Sequence, residues 1–196
     1  MYAHTKPNKP ISEWEPLQSH LSDVAELSEK FGGKFGFGSI SRQLGLWHDL
    51  GKYSLAFQEY LIKAGEIACQ EHSERLLDKV VKHRVDHSTP GAQFAFRNIS
   101  NSSAISDLVR NMLAYAIAGH HGGMPDKIDE NGKSGLVDRL SKVCEPLTEV
   151  PSAVAENFIR LDEFKKYDGL KNERARGFQF GFLNRMLFST LVDADF

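Results

Sequence analysis

The segment Trp47-His48-Asp49-Leu50-Gly51-Lys52 sets an imidazole beside a carboxylate within apolar surroundings. Adjacent side chains on a helix point about 100° apart. The pair therefore reaches one point only near a helix end, with a metal between the two groups. Imidazole with carboxylate suits Mn, Fe, Ni, Co or Zn. An unpartnered Asp49 in an apolar setting is costly, and either a metal or a buried His–Asp hydrogen bond removes that cost. Gly119-His120-His121-Gly122-Gly123 adds two imidazoles at the end of an apolar run. As structural residues each would need a hydrogen-bond partner, whereas as ligands they need only the metal. The glycines after them let backbone or substrate come close.

Three further positions carry weaker signals. In Asp86-His87-Ser88-Thr89-Pro90-Gly91, Ser88 or Thr89 is an adequate N-cap ahead of Pro90, and His87 just before it can project into a cleft. His83, four residues earlier, reads as a solvated neighbour; the His83–His87 spacing lacks the glutamate of a metalloprotease helix. Leu191-Val192-Asp193-Ala194-Asp195-Phe196 puts two carboxylates in an apolar helix, and at least one should meet a cation. His20 lies within an amphipathic helix and by itself reads as a core or boundary residue. His4, His72 and His83 are bystanders on this reading.

The elements that must position these groups are helical. Leu17, Leu21, Val24, Ala25 and Leu27 fall on one face of a helix that Phe31-Gly32-Gly33 stops. Ser39 is expected to cap a second helix through Leu50, and Tyr53–Ala64 a third. Residues 66–86 are polar with a short seam at Leu76, Leu77, Val80 and Val81. Helices are also expected from Pro90 to Arg97, Asp107 to Gly119, Leu136 to Cys144, Ala153 to Lys166 and Phe178 to Phe196. Residues 1–15 read as an irregular lead-in. No stretch alternates strictly enough for strands, so the expected fold is all-α with six to eight helices.

Composition narrows the function. The chain has 196 residues, 24 Lys+Arg against 26 Asp+Glu, and a net charge of −2, which excludes binding driven by bulk positive charge. No window is apolar for long enough to span a bilayer, the N-terminus has no signal-peptide core, and the two cysteines make no disulfide framework, so a protein of the reducing cytosol is expected. Cys69 and Cys144 share no ligand spacing and read as packing residues. The glycine loop at residues 31–38 lacks the order of a P-loop. Lys165, Lys166, Lys171, Arg174, Arg176 and Arg185 form either a solvated face or a rim that guides a nucleic acid strand. Stacking on exposed aromatics of the glycine loop would aid such a rim. The last helix is still apolar at Phe196, which reads as a cut just after a domain of a longer protein.

Taken in order, His20, His48-Asp49 with Lys52, His87-Ser88, His120-His121 and Asp195 resemble the HD superfamily of metal-dependent phosphohydrolases. Within it they are similar to the HD nuclease domain of the helicase–nuclease of type I CRISPR systems. The resemblance spans residues 20 to 195. It implies one helical HD domain over residues 1–196, either the N-terminal part of a helicase–nuclease or a stand-alone subunit. It also implies a dinuclear site in the helical core, with the ions about 3.5–4 Å apart. His20, His48, Asp49 and Asp195 would hold one ion and His87, His120 and His121 the other, with Asp49 bridging. Asp195 is preferred to Asp193 because the family's shared element is Ala-Asp followed by an aromatic. The two ions would be divalent transition metals, Mn, Fe, Ni or Co before Zn or Mg. Asp49 and Lys52 would be catalytic. The implied substrate is single-stranded DNA. The implied partners are a helicase domain or subunit and the RNA-guided surveillance complex. An HD-type nucleotide phosphohydrolase or cyclic-nucleotide phosphodiesterase is the alternative.

Overall fold

The computed structural model describes residues 1–68, 85–100, 102–124, 131–167 and 172–196, with the backbone alone at 68, 165–167, 173 and 176. Its architecture is all-α, with eight α-helices among the described residues. These are α1 (Leu17–Gly33), α2 (Gly38–Trp47), α3 (Leu55–Ala68), α4 (Ser88–Asn98), α5 (Ala104–Gly119), α6 (Gly135–Ser141), α7 (Ser152–Ala155) and α8 (Glu173–Asp195). Leu76, Leu77, Val80, Val81, Cys69, His72 and His83 lie outside the described residues.

Helices α1 and α2 form the centre of the packing. Leu17, Leu21, Val24 and Ala25 of α1 are buried as their spacing predicts, although Leu27 is exposed. Gly45 of α2 meets Ala25 so closely that a Cβ there would stand 2.5 Å from the Ala25 Cα. Trp47 is fully buried, donates from Nε1 to the Val154 carbonyl at 2.9 Å and meets Phe94 edge-on. Helix α5 fills the other side with Val109, Met112, Leu113 and Ile117, and α8 closes the bundle with Leu183, Leu187 and Leu191.

Several helix ends differ from expectation because distant side chains set them. Ser39 does not cap α2; its Oγ accepts from the Arg160 N–H at 2.8 Å, and the Glu163 carboxylate accepts from the Ser39 N–H. Neither Ser88 nor Thr89 caps α4. The Asp86 carboxylate takes that place, accepting from the Thr89 N–H at 3.1 Å. The helix expected over 153–166 is a short α7 followed by a 3-10 segment, Leu161–Tyr167. Gln43 of α2 bonds the Glu156 carbonyl and the Phe158 N–H, which holds that stretch extended against the bundle.

The lead-in is ordered. Strand β1 (Tyr2–His4) pairs antiparallel with β2 (Glu15–Pro16). Both are too short for alternation to show in sequence. A small apolar cluster of Trp14, Phe57 and Leu61 seats this ribbon on α3. The Gln58 amide ties it down, accepting from the Tyr2 N–H and donating to the Tyr2 and Lys52 carbonyls at 2.8–2.9 Å.

Candidate metal centre

Helices α2 and α5 end at one place, and α8 brings Asp195 to it. Helix α2 stops at Trp47 with His48 as its C-cap, and α5 stops at Gly119 with His120 as its C-cap. His48, His120 and Asp195 each bring a ligand atom within 4.8 Å of the other two. At both histidines the ring Nδ1 donates to the carbonyl three residues back. His48 bonds Gly45 at 2.8 Å and His120 bonds Ile117 at 2.7 Å. That bond fixes the tautomer and turns each Nε2 lone pair inward, the arrangement common to metal-binding histidines.

Asp49 sits in the middle, fully buried, and its two oxygens face different ways. Oδ2 lies 3.4 Å from His20 Nε2 and 3.3 Å from His48 Nε2. Oδ1 lies 3.3 Å from His87 Nε2 and 3.4 Å from His120 Nε2. Asp195 Oδ1 joins the first group, 3.3 Å from His20 and 3.2 Å from His48. His121 joins the second, its Nε2 at 2.7 Å from that of His87. Ligand atoms about 2.1 Å from a metal stand about 3.0–3.4 Å apart in octahedral or tetrahedral arrangements. Most of these separations fall in that range.

The electrostatics make the same demand. Burial opposes charge on His48, but Asp49 and Asp195 outweigh it and push its pKa up to about 10; His20 is raised for the same reason. Burial would raise Asp49 and Asp195 too, yet the imidazoles hold both well below the usual carboxylate range. His87 goes the other way, driven down to about 3 by burial, and is a neutral ring with a lone pair to give. Asp49 Oδ1 and His120 Nε2 are buried without a hydrogen-bond partner, while Asp49 Oδ2 meets the Lys52 ammonium. Two charged carboxylates in a dry site require cations, either protons on the facing imidazoles or a metal on the same lone pairs. The donor set of imidazoles and carboxylates fits a divalent transition metal.

The supporting residues explain the rest of the motif. A Cβ on Gly51 would stand 2.0 Å from the His87 carbonyl oxygen, so only glycine lets the His87 backbone reach the centre. Lys52 is no surface lysine. It is buried, with Nζ 2.6 Å from Asp49 Oδ2 and donating to the Ala3 carbonyl at 3.1 Å. Asp193 is exposed and lines a separate cavity with Phe31, Lys34 and Arg185. Sequence reasoning missed His4. The ribbon sets its ring edge-on to His20, 4.9 Å between centroids, with a ring nitrogen within 4.8 Å of ligand atoms of His20, Asp49 and Asp195. Glu15, on the paired strand, places Oε1 3.4 Å from His20 Nδ1.

Chemistry, not size, distinguishes the centre. The 710 Å³ cavity between α5, α6 and α8 is apolar, lined by Phe96, Leu108, Met112, Tyr115, Leu136 and Phe180 among others, and includes none of the histidines. Of the expected basic rim, Arg185 and Arg174 are remote from the centre. At 1.5 Å per residue, Arg185 lies about 15 Å and Arg174 about 31 Å along α8 from Asp195, both exposed. The side chains of Lys165, Lys166, Lys171 and Arg176 lie outside the described set. The glycine-loop aromatics do not form an exposed stacking surface, since Phe37 is fully buried and Phe31 and Phe35 are half-buried.

Residues 38–175 match the family model of the Cas3 HD domain. The chain belongs to that family. Membership makes this HD domain a metal-dependent hydrolase of the nuclease type found in type I CRISPR systems, where it works with divalent metals and a helicase partner. The matched span holds His48, Asp49, Lys52, His87, His120 and His121; His20 and Asp195 of the HD domain lie beyond it and reach the centre through α1 and α8. No curated protein matches the chain. No helix among the described residues is long and apolar enough to cross a membrane.

Proposed function

We propose that the domain hydrolyses phosphodiester bonds of single-stranded DNA during CRISPR antiviral interference. The observation that carries this reading is the division of Asp49. One carboxylate gives Oδ2 to the His20–His48–Asp195 group and Oδ1 to the His87–His120–His121 group. That is the arrangement expected of a carboxylate shared between two ions. His20, His48, Asp49 and Asp195 would hold the first, and Asp49, His87, His120 and His121 the second. Bound divalent metals supply Lewis acidity and a hydroxide nucleophile at neutral pH.

The chain's own residues prepare for this. His48 and His120 keep their donors on helix carbonyls and present lone pairs to the centre. Lys52 offsets the charge of Asp49 and, with two of its three donors engaged, retains one for a phosphate oxygen. In the apo site Asp49 and Asp195 are balanced by Lys52 and by protons held on His48 and His20, and a metal would displace those protons from the same ring nitrogens. The reading extends to a cytoplasmic protein that receives its strand from the helicase and the RNA-guided surveillance complex.

The test is a panel of Mn, Fe, Ni, Co, Zn and Mg with labelled single-stranded DNA, cyclic dinucleotides and deoxynucleoside triphosphates. Strand cleavage with one or more transition metals is expected. Turnover of the small nucleotides alone would overturn the nuclease reading in favour of a nucleotide phosphohydrolase.

A further inference from the structure

A cavity of 310 Å³ borders the His87–His121 side of the centre, lined by Val85, Asp86, Ser88 and Arg139 with the two histidines. That volume is at the low end of the roughly 300–1,000 Å³ of ligand sites. Unlike the 710 Å³ cavity it is about half polar, and it opens directly onto two of the clustered imidazoles. Arg139, on α6, is fixed within it. Its Nη1 donates to the Ala118 carbonyl at 2.8 Å and to Ser88 Oγ at 3.2 Å. Those bonds hold one corner of the guanidinium and leave Nε and Nη2 for another acceptor.

The neighbouring charges favour an anion as that acceptor. Asp86, a carboxylate in the cavity wall, is already taken by Lys142 at 2.8 Å, by the Thr89 N–H and by Ser88 Oγ. Among the described residues Arg139 forms no carboxylate pair, so its charge is the unmatched one on the wall. A planar guanidinium with spare donors matches the oxygens of a phosphodiester, which it can bind through two bonds at once.

We propose that this cavity is a phosphate subsite of the nucleic acid strand, with Arg139 binding the phosphodiester next to the one that lies over the metal centre. The proposal rests on the nuclease reading and adds to it the residue that sets the strand's position on the His121 side. It also explains why Arg139 is held by a backbone carbonyl at the very end of α5. The same bond that steadies the turn before His120 aims the guanidinium at the cavity.

Arg139→Gln and Arg139→Lys are compared with the unaltered protein, using a labelled oligothymidylate over a range of salt concentrations. One lost phosphate contact lowers the slope of log affinity against log salt by about 0.7. Arg139→Gln is expected to show that drop, about tenfold weaker binding and a similar rise in KM for cleavage, with kcat, metal content and melting temperature unchanged. Arg139→Lys should restore the slope. An unchanged slope and KM would overturn the subsite. So would a fall in metal content or melting temperature without a change in slope, which would make Arg139 only a brace for α5. If the unaltered protein neither binds nor cuts the strand, the nuclease reading fails and the subsite with it. If it does both and Arg139→Gln behaves identically, the subsite alone fails.

Discussion

The two halves of the centre share Asp49 but are built differently. In the half formed by His20, His48 and Asp195, both histidines have a partner for the outer ring nitrogen, the Gly45 carbonyl for His48 and Glu15 for His20. In the half formed by His87, His120 and His121, the Ile117 carbonyl holds the outer nitrogen of His120. His87 Nδ1 is buried without a partner, His121 is exposed, and the 310 Å³ cavity opens beside them. A ligand whose outer nitrogen is held loses less freedom on binding and is a stronger base. On the proposed two-ion reading, the first half would hold its ion more firmly than the second.

The largest effect would erase the comparison. Asp49→Ala removes the group common to both halves, and strand cleavage should fall by at least about 10³-fold. Elemental analysis should show both ions depleted; cleavage retained in this variant would refute the shared-carboxylate arrangement. Next, His48→Ala should strip the centre of metal, whereas His121→Ala should lose only the more weakly held ion. Chelator titration of the unaltered protein should then proceed in two steps separated by about 10–100-fold in affinity. A single step, or equal losses in the two variants, would show the halves to be equivalent.

Gly51→Ala acts on one half alone. The new Cβ would overlap the His87 carbonyl, so the His87 segment must move away. A loss of about 2–3 kcal/mol is expected, read as a melting temperature lower by about 5–10 °C, with the weaker ion released first. The smallest effect concerns the other half. Gln58→Ala frees the ribbon that carries Ala3 and His4, at a cost of about 1–2 kcal/mol. Chelator resistance of the tighter ion should fall slightly and that of the weaker ion should not change.

The same contrast shows what was legible in the sequence. His48 and Asp49, and His120 and His121, stand next to each other in the chain, so their types and spacing announced a site before any fold was known. The helical framework was equally legible, because α1 and α5 carry clear apolar periodicity. Contacts made at long range were not legible. Nothing local marks Ala3 as the acceptor for Lys52, or Gly51 as the place where His87 passes. Likewise, the end of α7 follows from Gln43, more than a hundred residues earlier. The reading of His4 as a bystander missed its place beside His20 for the same reason. A three-residue strand has no pattern, and its partner lies eleven residues on.

The meeting of the α2 and α5 carboxyl ends has a thermodynamic consequence. Each helix end carries a partial charge of roughly −0.5, added to Asp49 and Asp195 and countered by Lys52 and by the protons or metal held on the imidazoles. On the proposed nuclease reading, cation and nucleic acid would therefore not bind independently of each other. The factor by which metal raises affinity for the strand must equal the factor by which the strand raises affinity for metal. A domain awaiting a strand would hold its exchangeable ion loosely, and the arriving strand would itself complete the loading of the centre.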